Sequence, residues 1–88
     1  MTTIIEKMED YISQIVYHTT EFAVAEATYI NECNKPSQEY DIEWADNSFK
    51  RAVLHAEFAI DICKDYGLDP QKVCSSCVNF IISYKGAA

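Results

Sequence analysis

Apolar or small residues fall at Ile5, Met8, Ile12, Ile15, Thr19, Phe22, Tyr29 and Cys33. Their steps alternate between three and four, the spacing of one helix face, until Glu26 interrupts it. The pattern predicts a first helix over about 2–34. Its weakest point is Thr19-Thr20, where two β-branched residues lower helix propensity and predict a break or bend. Asn34-Lys35-Pro36-Ser37 is the first stop, because a proline disfavours helical geometry in the residue before it. Ser37 or Asp41 can then cap a second helix over about 39–66. The core stripe of that helix is Ala45, Phe49, Ala52, Val53, Ala56, Ala59, Ile60 and Cys63, widened by Leu54, Phe58 and Ile62. Gly67 stands where a helix C-terminal cap belongs. Asp69-Pro70 is a strong start signal, with proline in the first helical position. It predicts a third helix over about 70–84.

These elements make a single all-α domain over 1–88, a three- to four-helix bundle of antiparallel helices. Two long helices and one short one leave faces uncovered. Either the first helix breaks near 19–20 and a compact four-helix bundle results, or two chains pair and share a core. Between Asp69 and Lys85 the third helix carries only Lys72 as a charge. A helix apolar nearly all round belongs at an interface or in a centre. Val73, Cys77, Phe80, Ile81 and Tyr84 are therefore the expected homodimer contacts.

Charge changes the picture more than length does. The 88 residues hold 14 acids and 7 bases, a net charge of −7, which excludes direct binding to nucleic acid or an anionic membrane. Residues 1–46 hold ten acids and two bases, net −8; residues 47–88 hold four acids and five bases, net +1. On the first helix, Glu6, Asp10, Gln14, Tyr17, Glu21, Ala25, Thr28 and Glu32 form a stripe opposite, or nearly opposite, the apolar one. The densest acidity is Glu39, Asp41, Glu43 and Asp46, interleaved with Tyr40, Ile42 and Trp44. In an extended segment this alternation sends three carboxylates to one side and three apolar groups to the other. In a helix it places acids where the dipole favours them. Aromatic groups beside charge are typical of binding hot spots. Glu6, Asp10, Glu21, Glu39, Tyr40, Asp41, Glu43, Trp44 and Asp46 are thus the candidate partner-binding residues, facing a protein with a basic surface.

Catalytic chemistry has little support. His18 and His55 stand alone on their helices, and no metalloprotease, phosphate-loop or nucleophile-elbow motif occurs. Cys74-Ser75-Ser76-Cys77 lacks the preceding strand that a redox pair needs. A zinc site would draw on Cys63, Cys74 and Cys77 with His55 or Cys33, but only one close pair is present where zinc modules bring two. Small buried thiols are the favoured reading, so no metal, cofactor or enzymatic activity is expected. No signal peptide or membrane span is evident, and a cytoplasmic location is expected.

In size, acidity and helical plan, across its whole length, the chain resembles the small accessory proteins of bacteriophages. Many of these bind and block a host protein, anti-CRISPR and other anti-defence inhibitors among them. The resemblance implies an inhibitor of a host protein, and the acidic first half points that inhibitor at a basic, nucleic-acid-binding surface. The alternatives are a helical oligomerisation or regulatory module, and, more weakly, a cysteine-based zinc or redox sensor.

Overall fold

A computed structural model describes the backbone of residues 4–86 and the side chains of residues 10–85. Its elements are α1 (Ile4–Cys33), α2 (Ile42–Asp65), α3 (Pro70–Val73) and α4 (Ser75–Gly86), with no strand among the described residues. The protein is all-α, and no helix among the described residues is long and apolar enough to cross a membrane.

α1 does not break at Thr19-Thr20. The Thr19 hydroxyl donates to the Ile15 carbonyl at 2.8 Å, and Thr28 does the same to Val24 at 2.8 Å. Such back-bonding satisfies a threonine inside a helix. α2 begins at Ile42 rather than at 39, because residues 36–39 form a turn in which Glu39 N–H donates to the Pro36 carbonyl. Asp41 is the N-cap, accepting the Trp44 N–H at 3.0 Å. At the other end, Gly67 has φ +72°, Leu68 N–H donates to Cys63 and Gly67 N–H to Lys64. This pair of bonds is a Schellman cap, and only glycine enters that backbone region without strain.

The third helix is split where the sequence reads it as continuous. Cys74 leaves the helix at φ −140°, ψ 59°, and its carbonyl accepts the Cys77 and Val78 N–H groups that start α4. The kink brings the Cys74 thiol to 3.9 Å from that of Cys63.

α1 and α2 pair along their lengths, early residues of one against late residues of the other. Tyr11 stacks on Tyr66 at 4.2 Å, His18 meets His55, and Tyr29 meets Phe49 at 5.1 Å. Ala45, Ala52, Ala56 and Ala59 are fully buried on α2 and let α1 approach closely. Ile15, Phe22 and Ala25 fill the α1 side; Cys63, Cys74, Cys77 and Ile81 complete the core with α4. Phe49 binds the layers together, touching Tyr29, Phe80 and Tyr84 at ring distances of 5.1–5.5 Å.

Two expectations change here. The α1 face turned to α2 runs through Tyr11, Ile15, His18, Phe22, Ala25, Tyr29 and Glu32, so the predicted stripe is rotated. Ile12 lies half-exposed outside it, while Ala25 and Glu32, read as solvated, are buried. The predicted dimer contacts also divide. Cys77 and Ile81 are buried in the chain's own core and Phe80 packs against Phe22 and Phe49, leaving only Val73 and Tyr84 well exposed. The short α4 reaches those core positions because it lies on α2, not at the periphery.

The result is long and thin. Its extents are 56 × 25 × 16 Å and its radius of gyration is 15.3 Å, against about 12 Å for a compact domain of this length.

Candidate functional site: the acidic end of the helix pair

The α1–α2 connection is held by one buried carboxylate. Glu32, at 2 % exposure, accepts the Asp41 backbone N–H at 2.9 Å and the Lys35 ammonium at 3.0 Å. Those bonds, the backbone one first, hold its carboxyl below the usual glutamate range against the opposing effect of burial. Glu32 therefore belongs to the frame of the connection, not to an acidic surface.

On that frame Glu39, Tyr40, Asp41, Ile42, Glu43, Trp44 and Asp46 are all exposed. Their roles differ. Asp41 is committed to capping α2. Asp46 pairs with Lys50 at 3.0 Å, an exposed contact that holds little energy. Glu39 and Glu43 have no ion pair among the described residues. The extended alternation of acids and apolar groups does not occur, because α2 begins at Ile42 and winds the segment around an axis. Ile42, 73 % exposed, lies beside Tyr29, Tyr40, Ala45 and Phe49 in a recess of about 220 Å³. Trp44 borders a different recess, lined by Ala27, Thr28, Asn31, Glu32 and Lys35. Tyr29 and Tyr40 titrate above the ordinary tyrosine value: Tyr29 first through a hydrogen bond with Cys33, Tyr40 first through partial desolvation of its ring, with Cys33 adding to it.

The other expected partner-binding residues lie elsewhere. Asp10 is exposed and bonded to Gln14 at 3.0 Å, roughly 33 Å along the helix from Glu32 at 1.5 Å per residue. Glu21 is half-buried beside His18. The side chain of Glu6 lies outside the described residues. The nine residues do not form one surface; six of them, from Glu39 to Asp46, do share one end.

The sequence reading missed a pair of histidines. His18 and His55 face each other with Nδ1 atoms 3.0 Å apart, half-buried among Tyr17 and Phe58. One ring donates its N–H to the lone pair of the other, which requires at least one to be neutral. Burial first, then the neighbouring His55, lowers the His18 pKa, with Glu21 opposing. Folding the chain about Pro36-Ser37 would have placed 18 opposite 55, the only signal available.

The cysteines separate in the same way. Cys33 is exposed near the connection, whereas Cys63, Cys74 and Cys77 are buried around the 74 kink. Burial pushes the Cys74 thiol up to about 12, with Cys63 adding to it, and the Cys77 thiol up to about 11. Such thiols are protonated and poorly nucleophilic. The zinc set considered from sequence is not assembled: among the described residues no three His, Cys, Asp or Glu side chains converge to hold a metal. His55 is engaged by His18, and Cys33 sits at the other end of α1.

Compared with family models, curated proteins and solved structures, the chain matches none.

Proposed function

We propose that the chain is a protein-binding module, an inhibitor or adaptor that docks its α1–α2 end on the basic, nucleic-acid-binding surface of a partner. In this reading an antiparallel helical bundle serves as a stiff stem, and Glu39 to Asp46 form the contact surface. The observation that carries it is the pairing of two uncommitted carboxylates, Glu39 and Glu43, with exposed Tyr40, Ile42 and Trp44 on a segment fixed by Glu32 and the Asp41 cap. The carboxylates would take the place of phosphates and speed encounter, while the aromatic groups would supply contact area.

The test is affinity capture from the source cell, followed by binding measurements with the captured partner. Trp44→Ala should weaken binding by about 2 kcal/mol, the size of a hot-spot loss. Glu39→Gln with Glu43→Gln should slow association and flatten its dependence on salt. Undiminished capture by a variant combining Trp44→Ala, Glu39→Gln and Glu43→Gln would overturn the proposal.

A further inference from the structure

α1 carries a second seam that the chain itself covers only in part, Thr19 and Glu26 being half-buried beside the start of α4. Ile12, Val16, Thr19, Ala23, Glu26 and Ile30 follow steps of 4, 3, 4, 3 and 4, the spacing of a coiled-coil seam. Ile12, Val16 and Ile30 are 49 %, 56 % and 51 % exposed, in contrast to the buried α2-facing stripe one position away. Beside the seam lie Ser13, Thr20 and Ala27, small and uncharged. Of the charges on α1 between residues 12 and 33, Glu21 lies on the far side and Glu32 is buried, so only Glu26 touches this face. On a chain of net charge −7, this face of α1 carries a single charge.

The seam reads the same way from both ends. With a second α1 running in the opposite direction and centred on residue 21, Ile12 meets Ile30 of the second copy, Thr19 meets Ala23, and Val16 meets Glu26. Branched apolar residues fall at both ends and small ones at the centre, where two helices must approach most closely. A two-fold interface requires such self-complementarity. A second surface supports the same seating: α1 and the start of α4 border a groove of about 310 Å³ whose walls include Thr19, Ala23, Glu26, Val73 and Ser76. The area also fits. The chain exposes 6207 Å², against about 5,200 Å² for a compact 10.0 kDa monomer. The excess, about 1,000 Å², belongs to the elongated chain as a whole and leaves room for an interface of the usual size, roughly 800 Å² per partner.

We infer that a second copy of this chain covers the seam, the two α1 helices packing antiparallel through Ile12, Val16, Thr19, Ala23 and Ile30. This dimer is independent of the acidic end and uses α1 where the sequence pointed to the third helix. Glu26 is its weak point, a carboxylate drawn into an apolar seam.

Sedimentation equilibrium decides it. The wild-type chain should be dimeric at tens of micromolar, and Ile12→Glu with Ile30→Glu should be monomeric with helicity unchanged by circular dichroism. Glu26→Leu should tighten the dimer at least tenfold, a gain that misfolding cannot imitate. In a Cys33→Ser background, Thr20→Cys should cross-link its own copy, since it lies next to the two-fold axis. Ser13→Cys should not, its copies being about 24 Å apart along the axis at 1.5 Å per residue. A monomeric wild type, a dimer that survives the double glutamate variant, or equal cross-linking at 13 and 20 would each overturn the inference.

Discussion

Glu32 is the residue on which the acidic end depends. It satisfies the Asp41 N–H, a backbone group that would otherwise lack a partner where the chain turns into α2, and it neutralises Lys35. A lowered folded-state pKa means that the unfolded chain takes up the proton first. The stabilisation from Glu32 is therefore complete above about pH 4.5 and disappears as the pH falls through the folded value. His18 acts in a higher window with the same sign. Its folded pKa lies below 6.5, so the unfolded chain again binds the proton first, and stability declines as the pH drops from 6.5 toward that folded value. Denaturant titrations across pH 3–8 should thus show two descending steps toward acid. Glu32→Gln should remove the lower one and His18→Gln the upper one. A profile unchanged by either substitution would mean that these groups are not held as described.

At the scale of helices, the alanine ridge of α2 sets how closely α1 can lie. Ala52, Ala56 and Ala59 have no exposed surface, and no larger side chain fits between the helix axes without moving them. Ala56→Leu should destabilise the fold by about 1–3 kcal/mol in urea unfolding, the usual cost of overpacking. The same change at exposed Ala27 should be nearly neutral. This ridge was legible in the sequence, as were the Gly67 stop, the Asp69-Pro70 start and Asp41 as one of two candidate caps, because each is written in residues a few positions apart. The rotation of α1 was not. Ile12 and Ile15 are both isoleucine, one half-exposed and one buried, and local spacing offers no reason to prefer either. Glu32 misled for a related reason: on its own helix it continues an acidic stripe, and the N–H that draws it inward lies nine residues away across a turn. The kink at Cys74 was hidden too, since nothing in Val73-Cys74-Ser75 forbids a helix. What the sequence did offer there, two serines placed where a new helix could start, became visible only once the break was known.

For the whole molecule, the two proposed surfaces make opposite demands on charge, and this separates them experimentally. The seam on α1 brings almost no charge together. In the antiparallel dimer the acidic ends point to opposite poles, the two Glu32 positions about 33 Å apart along the axis at 1.5 Å per residue. That is several times the Debye length of about 10 Å at 0.1 M salt, so mutual repulsion of the two acidic ends is largely screened. Dimerisation should therefore change little between 0.1 and 0.5 M salt, and sulfate should favour it by strengthening apolar burial. Contact of Glu39 and Glu43 with a basic surface depends on Coulomb attraction and should weaken steeply over the same range. Because the dimer binds native chains to each other, its melting temperature should rise with protein concentration at either salt level. In the Ile12→Glu, Ile30→Glu variant that dependence should vanish while the salt-sensitive contact with the partner remains. A melting temperature independent of concentration in the wild type would remove the dimer and leave the acidic end as the molecule's one proposed contact surface.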